Sequence, residues 1–234
     1  LVAADGLSAT WIAIFPGLAL ALWLLHLLPA HQPRQKVLER PLLRSLASFS
    51  MAGVMGVIIF RSATYVTFNN LMPIIIHERG LRLEAGALAV MALGLGGAVG
   101  GILGGWLSGR VGKESVIWGS LALAPLALSL SLWTREPLFL YGAMALGGMV
   151  LNSSFPLTIV LAQEIVPERV ATASSLALGF SMGLAALAFI PIGRLADAIG
   201  PESTLKWVSL LPLAALLLGV LFLRRGRGER GAHG

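Results

Sequence analysis

The sequence predicts an all-α fold, a polytopic bundle of transmembrane helices, and three observations predict it. Of 234 residues, 56% are hydrophobic and only 12% are charged, about half the charged share of an ordinary soluble domain. Mean hydropathy is +0.84. The apolar residues gather into seven runs of spanning length, divided by short charged or turn-rich breaks. The lipid bilayer is therefore the first expected partner. A net charge of +6 does not point to nucleic acid, because the basic residues sit in connectors and at the C-terminus rather than on one soluble face. The absence of cysteine removes disulfides, thiolate metal sites and a cysteine nucleophile.

The first run, Trp11–Leu28, follows Asp5 with no basic leader, unlike a secretory signal, and the Leu1 start reads as a cut or truncation. Residues 1–28 are thus expected to form a single span. Residues 29–45, rich in proline, glutamine and positive charge, read as a cytoplasmic linker. Six further spans are expected within 46–223, and a basic cytoplasmic tail over 224–234. The second run, Leu46–Ile76, is too long for a straight crossing of a ~30 Å core and is expected to tilt or break before Pro73. The third, Leu83–Leu107, carries two interleaved ladders, Gly96-Gly100-Gly104 and Gly97-Gly101-Gly105. Glycine at every fourth position lets two helix backbones approach closely. The fourth run is Val116–Trp133. The fifth, Leu138–Ala162, places Asn152, Ser153 and Ser154 near its middle, just ahead of Pro156. The sixth, Ala171–Ile192, has Gly179 and Gly183 as a further packing pair, and Leu205–Leu223 is the last.

Positive residues accumulate in cytoplasmic loops. One alternate set of loops holds eleven of the 17 (Arg34, Lys36, Arg40, Arg44, Arg110, Lys113, Arg169, Arg224, Arg225, Arg227 and Arg230), and the other holds five (Arg79, Arg82, Arg135, Arg194 and Lys206). This places the N-terminus outside and the basic tail in the cytoplasm.

The last six spans contain an internal echo. Gly105–Ser115 matches Gly193–Ser203 at a constant offset of 88, with five identities in 11 positions. Each copy follows the second span of a three-span unit. Three is odd, so the second unit enters the membrane from the opposite side, the inverted-repeat plan of many secondary transporters.

The charge left over is Arg61. Its nearest basic or acidic neighbours along the chain, Arg44 and His77, lie about 24 to 26 Å away on a helix, beyond snorkelling reach. An arginine at that depth costs at least ~2.5 kcal/mol on insertion scales and usually faces a cavity, a counter-ion or a substrate. Arg61, Tyr65 and Asn69 fall at four-residue spacing on one stripe. They offer a cation, a phenol and an amide, a set suited to a small oxyanion that a guanidinium can clamp through two oxygens. Asn152 and Ser153 are candidates for the same pathway. Two alternatives stay open: a structural hydrogen bond from Arg61 to a carbonyl of a neighbouring broken helix, and an interhelical bonding role for the fifth-span polar residues.

No Asp or Glu falls in mid-span, so a proton-coupling carboxylate is expected outside this segment. His26, His31, His77 and His233 are not at metal-ligand spacing, no helix pairs a nucleophile with a base, and no glycine-rich loop follows a strand. No enzyme activity, metal or cofactor is expected.

The motif Gly105-x-Leu107-x-x-Arg110-x-Gly112-Lys113 resembles the loop signature of the major facilitator superfamily, between the second and third spans of a six-span half. It departs from that signature at Gly109, where an aspartate is usual, and at Glu114, where a basic residue is common. The resemblance implies a cytoplasmic conformational gate formed by Gly105, Arg110, Gly112 and Lys113. Further motifs are similar to the C-terminal half of the fosmidomycin-resistance exporters: Val116-Ile-Trp118, Ala124-Pro125, Ala162-Gln163-Glu164-x-Val166-Pro167-x-Arg169, Gly179-Phe180, Leu195-Ala196-Asp197 and Leu210-Leu211-Pro212-Leu213, with Arg61-Ser62 and Leu71-x-Pro73 as weaker matches. The likeness implies helix six plus the six-helix C-terminal half of a twelve-helix transporter, with a missing N-terminal half as partner. It also implies export of a small anionic phosphonate antibiotic across the bacterial inner membrane by exchange with protons. Two rival expectations are a truncated half or assembly module that transports nothing, and an exporter of another organic anion.

Overall fold

The computed structural model describes residues 14–27, 49–134, 136–167 and 170–231. The chain divides into two compact units, Leu1–Leu38 and Glu39–Gly234. The described part of the first is one helix, α1 (Ile14–Leu27). The expected linker and the last three residues of the tail lie outside the described residues.

The second unit is helical throughout its described segments, apart from short turns. Its elements are α2 (Phe49–Glu78), α3 (Leu83–Val111), α4 (Lys113–Trp133), α5 (Pro137–Asn152), α6 (Phe155–Ile165), α7 (Val170–Ser175), a π turn (Leu176–Phe180), α8 (Ser181–Ile199), α9 (Pro201–Val208) and α10 (Leu211–Gly231). Six continuous or jointed helices are long and apolar enough to cross a membrane: α2, α3, α4, α5 with α6, α7 with α8, and α9 with α10. With α1 they make up the seven helices expected. α10 carries on as helix through the basic segment to Gly231, past the expected end of the last span.

Local chemistry explains several boundaries. Proline opens α5 and α9, where the missing N–H has no helical partner to lose. Glu84 lies in the first turn of α3 and Arg110 in its last, each of the sign that the helix dipole favours. Of the tilt or break expected before Pro73, the break does not occur. α2 runs unbroken for 30 residues, about 45 Å at 1.5 Å per residue. Its neighbour α3 fits closely there through Gly86, where an added Cβ would lie 3.1 Å from the Pro73 backbone. The interruption falls instead in the fifth span, at Ser153 and Ser154 between α5 and α6, directly ahead of Pro156.

The 88-residue repeat extends from 11 matched positions to the whole unit. α2 begins at Phe49 and α5 at Pro137, α3 ends at Val111 and α8 at Ile199, and α4 begins at Lys113 and α9 at Pro201. Both joints turn on a glycine at φ +87°, Gly112 and Gly200, a conformation closed to most residues with a Cβ. The Gly112 N–H donates to Ser108 O at 3.0 Å and the Gly200 N–H to Ala196 O at 2.9 Å, again 88 residues apart.

α2 is the most buried span, and α3 and α7–α8 are the least. Two apolar clusters fill the core. One gathers Phe68, Met72, Ile75 and Ile76 of α2 against α3, α4, α5 and α9. The other gathers Met51, Val54, Val57 and Ile58 against α4, α6 and the π turn. Arg61 lies between them along α2.

Candidate functional site

Arg61 is 2% exposed, and its donors reach into the break between α5 and α6. Nε donates to Leu151 O at 3.2 Å, Nη2 donates to Asn152 Oδ1, and Nη1 lies 3.5 Å from Ser62 Oγ. The Phe155 ring packs against the guanidinium, with the Arg61 Cζ 4.4 Å from its centroid, close enough for a cation–π attraction. Leu151 O also accepts the Ser154 hydroxyl at 3.0 Å, so side chains occupy an acceptor that an unbroken helix would satisfy with a backbone N–H. Asn152 Nδ2 donates back to Gly148 O at 3.1 Å, which leaves Oδ1 aimed at Arg61. The result is a buried cation held by neutral acceptors, with no carboxylate neutralising it among these contacts. Such an arrangement leaves the positive charge without a counter-charge among these contacts, and each hydrogen bond to a charged group is worth roughly 1.5–3 kcal/mol.

Of the sequence-predicted site residues, the structure thus brings Arg61 and Asn152 into direct contact. Tyr65 is half-buried against the larger core cluster, with its hydroxyl 4.0 Å from where a Cβ on Gly94 would stand. Asn69 is half-buried one turn further on, while Asn70 is exposed and bonds back to Val66 O at 2.7 Å. Ser153 donates to Val150 O at 2.7 Å and lines a different groove, between α3, α4 and α5. The bond to Leu151 O is the structural hydrogen bond to a carbonyl of a broken helix that the sequence left open as an alternative, whereas Phe155 was not anticipated. The signal available for it was the aromatic residue beside Pro156, immediately after three polar residues in an apolar span.

The expected gate residues sit at one end of the bundle. Gly112 forms the joint, Lys113 pairs with Glu164 at the end of α6, and the Arg110 guanidinium stacks over Trp106 at 3.9 Å. An added Cβ at Gly105 would meet nothing within 4 Å. At the other end, Arg79 donates to Leu132 O and Thr134 O, both at 3.1 Å, and pairs with Glu202 at 3.3 Å. The two ion pairs correspond under the repeat: each ties the end of one unit's first span to the start of the other unit's third. Glu78 and Asp197, which holds the slot equivalent to Gly109, line a cavity of about 510 Å³ between α2 and α8.

The glycine ladders divide. A Cβ on Gly96, Gly100 or Gly104 would overlap the carbonyl of Ala145, Met149 or Ser153 on α5 or just beyond it, so α3 and α5 meet backbone to backbone. Gly97 faces Asn152, and Gly101 meets Pro156 at 3.8 Å. Gly179 and Gly183 have nothing within 4 Å.

Comparison with known proteins agrees with this architecture. The family profile described as Major Facilitator Superfamily matches residues 1–186. The chain belongs to the major facilitator superfamily. Among relatives of this superfamily member, an uncharacterized MFS-type transporter of Bacillus subtilis, YfnC, is 43% identical over 126 residues, covering 53% of this chain and 30% of the relative. The fosmidomycin resistance protein of Escherichia coli K12 is 30% identical over 190 residues, 79% of this chain and 43% of the relative. A benzoate transport protein of Acinetobacter baylyi is 28% identical over 145 residues, 62% of this chain and 28% of the relative. The chain thus spans less than half the length of each. Membership of this superfamily, together with helices long and apolar enough to cross a membrane, marks the chain as an integral membrane protein.

Proposed function

We propose that this chain forms the C-terminal half of an efflux transporter for a small anionic compound such as a phosphonate antibiotic, in the bacterial inner membrane. Its N-terminus faces outward, its basic tail lies in the cytoplasm, and transport runs by exchange with protons. One observation carries the reading: a guanidinium buried in mid-span, bound only by neutral acceptors at a helix break. An incoming phosphonate would take the place of Asn152 Oδ1 on Nη2 and bridge to Nη1, a two-oxygen grip that a single carbonyl does not provide. Tyr65 and Asn69 offer further polar groups along the same stripe of α2. Among the described residues no Asp or Glu lies in mid-span, which supports a reading in which proton coupling belongs to a companion N-terminal half. The open faces of α3 and α7–α8, the least buried spans, are the surfaces proposed to meet that half. Arg110 and Lys113 act in this reading at the cytoplasmic gate.

The test is drug susceptibility conferred by the full-length transporter carrying Arg61→Ala or Arg61→Lys, with membrane insertion checked separately. Loss of resistance in Arg61→Ala and partial loss in Arg61→Lys are expected. Full resistance in a well-inserted Arg61→Ala protein rejects the assignment. The likeness to a benzoate transport protein favours a second reading, in which the cargo is an organic carboxylate. Competition between phosphonates and aromatic carboxylates for binding separates the two. Reconstituting the 234-residue chain alone tests the companion: transport without it would favour a self-sufficient homodimer, and no transport fits a module that needs its other half.

A further inference from the structure

A groove of about 270 Å³ lies between α3, α4 and α5, and Arg61 is not among the residues that line it. It is floored by Gly100, Gly104 and Gly119, and walled by Leu107, Leu123 and Met149. Gly100 and Gly104 face the α5 backbone, and the open part of the floor is at Gly119, where an added Cβ would meet nothing within 4 Å. The mouth is marked by Val111 and Ser115, on either side of the Gly112 joint. From Ser115 to Leu123 the groove runs about 12 Å along α4, which fits inside one leaflet of a ~30 Å hydrocarbon core. It thus has the length and apolar lining of a slot for part of one acyl chain.

Ser115 lines the mouth, and Arg110 stands beside it, about 75° around α3 from the middle of the groove-lining face. Arg110 directly precedes Val111, and its guanidinium lies over the exposed Trp106 ring, a pairing suited to the headgroup level where tryptophan is enriched. That stack engages the guanidinium's face and leaves its in-plane N–H groups, and Arg110 has no hydrogen bond or ion pair among the described residues. The Ser115 side chain likewise makes none among them. Acidic residues stand elsewhere. Glu164 is taken by Lys113, and Glu114 falls about 170° around α4 from the middle of the groove-lining face at 3.6 residues per turn.

We infer that this groove binds one anionic phospholipid, with an acyl chain between α3 and α4 and its phosphate on Arg110 and Ser115. The lipid lies in the leaflet at the Gly112 end, beside the joint between the second and third spans, and fills space that would otherwise be a void against two glycine-faced helices. Arg110 selects for negative charge and the groove holds the chain.

Native mass spectrometry of the full chain in detergent, titrated with phosphatidylglycerol or phosphatidylcholine, tests this. The wild-type chain is expected to retain one phosphatidylglycerol about fivefold in preference to phosphatidylcholine, the ratio for one arginine acting near a membrane surface. Gly119→Phe, whose ring enters the open groove, should retain neither lipid at that site. Arg110→Ala should retain both equally. Wild-type retention in Gly119→Phe overturns the proposal, as does an unchanged preference in Arg110→Ala. Displacement of phosphatidylglycerol by inorganic phosphate alone also overturns it, since the site would then be a headgroup site without a chain slot. If Gly119→Phe fails to insert, the surface variant Arg110→Ala decides the matter by itself.

Discussion

The two three-span units share their boundaries to the residue at several points, yet their first spans do opposite things. α2 is continuous through Pro73 and buries a cation. α5–α6 is broken at Ser153 and Ser154 and offers that cation its acceptors. The positions equivalent to Arg61 and Asn152 at the 88-residue offset are Met149 and Thr64, so neither half of the pairing is duplicated. The ends differ in the same spirit. At one, the third span contributes the positive partner, Lys113, and at the other it contributes the negative one, Glu202. A backbone plan that repeats tolerates side chains that do not, and the asymmetric side chains make the site.

The largest effect is expected where the units touch backbone to backbone. Gly100→Leu should cost 3 kcal/mol or more, roughly the upper part of the overpacking range, because its Cβ would overlap the Met149 carbonyl. Thermal unfolding of the detergent-solubilised chain measures it, and a melting temperature within a degree or two of wild type would mean that α3 and α5 can separate at little cost. A double-mutant cycle of Arg61→Ala with Asn152→Ala should show a coupling of about 1–3 kcal/mol, while Thr64→Ala with Met149→Ala, the equivalent positions, should be additive. Equal couplings would erase the asymmetry between the first spans. Arg79→Ala should destabilise by about 1.5–3 kcal/mol, since two carbonyls of the α4 terminus lose a charged donor. Lys113→Ala, which breaks only an exposed ion pair, should cost about 0–1 kcal/mol and less at high salt. The reverse ranking in the same unfolding measurement would show that the two ends are not built as described. The smallest change is expected for Gly183→Ala: with open space beside it, the isolated chain should be unaffected or stabilised by up to about 1 kcal/mol.

Much of the fold was legible because spans announce themselves by length and polarity, and the repeat by a glycine joint whose backbone angle restricts the residue used. Eleven matched positions were enough to find a correspondence that covers six spans. What could not be read was which of two prolines interrupts its helix. Pro73 and Pro156 are equally visible in the sequence, but α2 stays continuous at Pro73 while α5 gives way next to Pro156, where two serines and a guanidinium satisfy the freed groups. That outcome depends on Arg61 meeting residues 90 and 91 positions away, a separation to which helical periodicity is blind. Ser153 illustrates the same limit. It neighbours Asn152 in sequence, yet the turn carries its side chain to the groove between α3, α4 and α5.

The π turn at Leu176–Phe180 has a consequence for how the second unit tolerates length changes. A turn closed by i→i+5 bonds houses one residue more than an ordinary one, so this segment holds a residue that it can lose locally. Removing a single residue between Leu176 and Phe180 would straighten the turn yet leave the downstream joint in place, whereas the same deletion in α3 would turn every later side chain by about 100°.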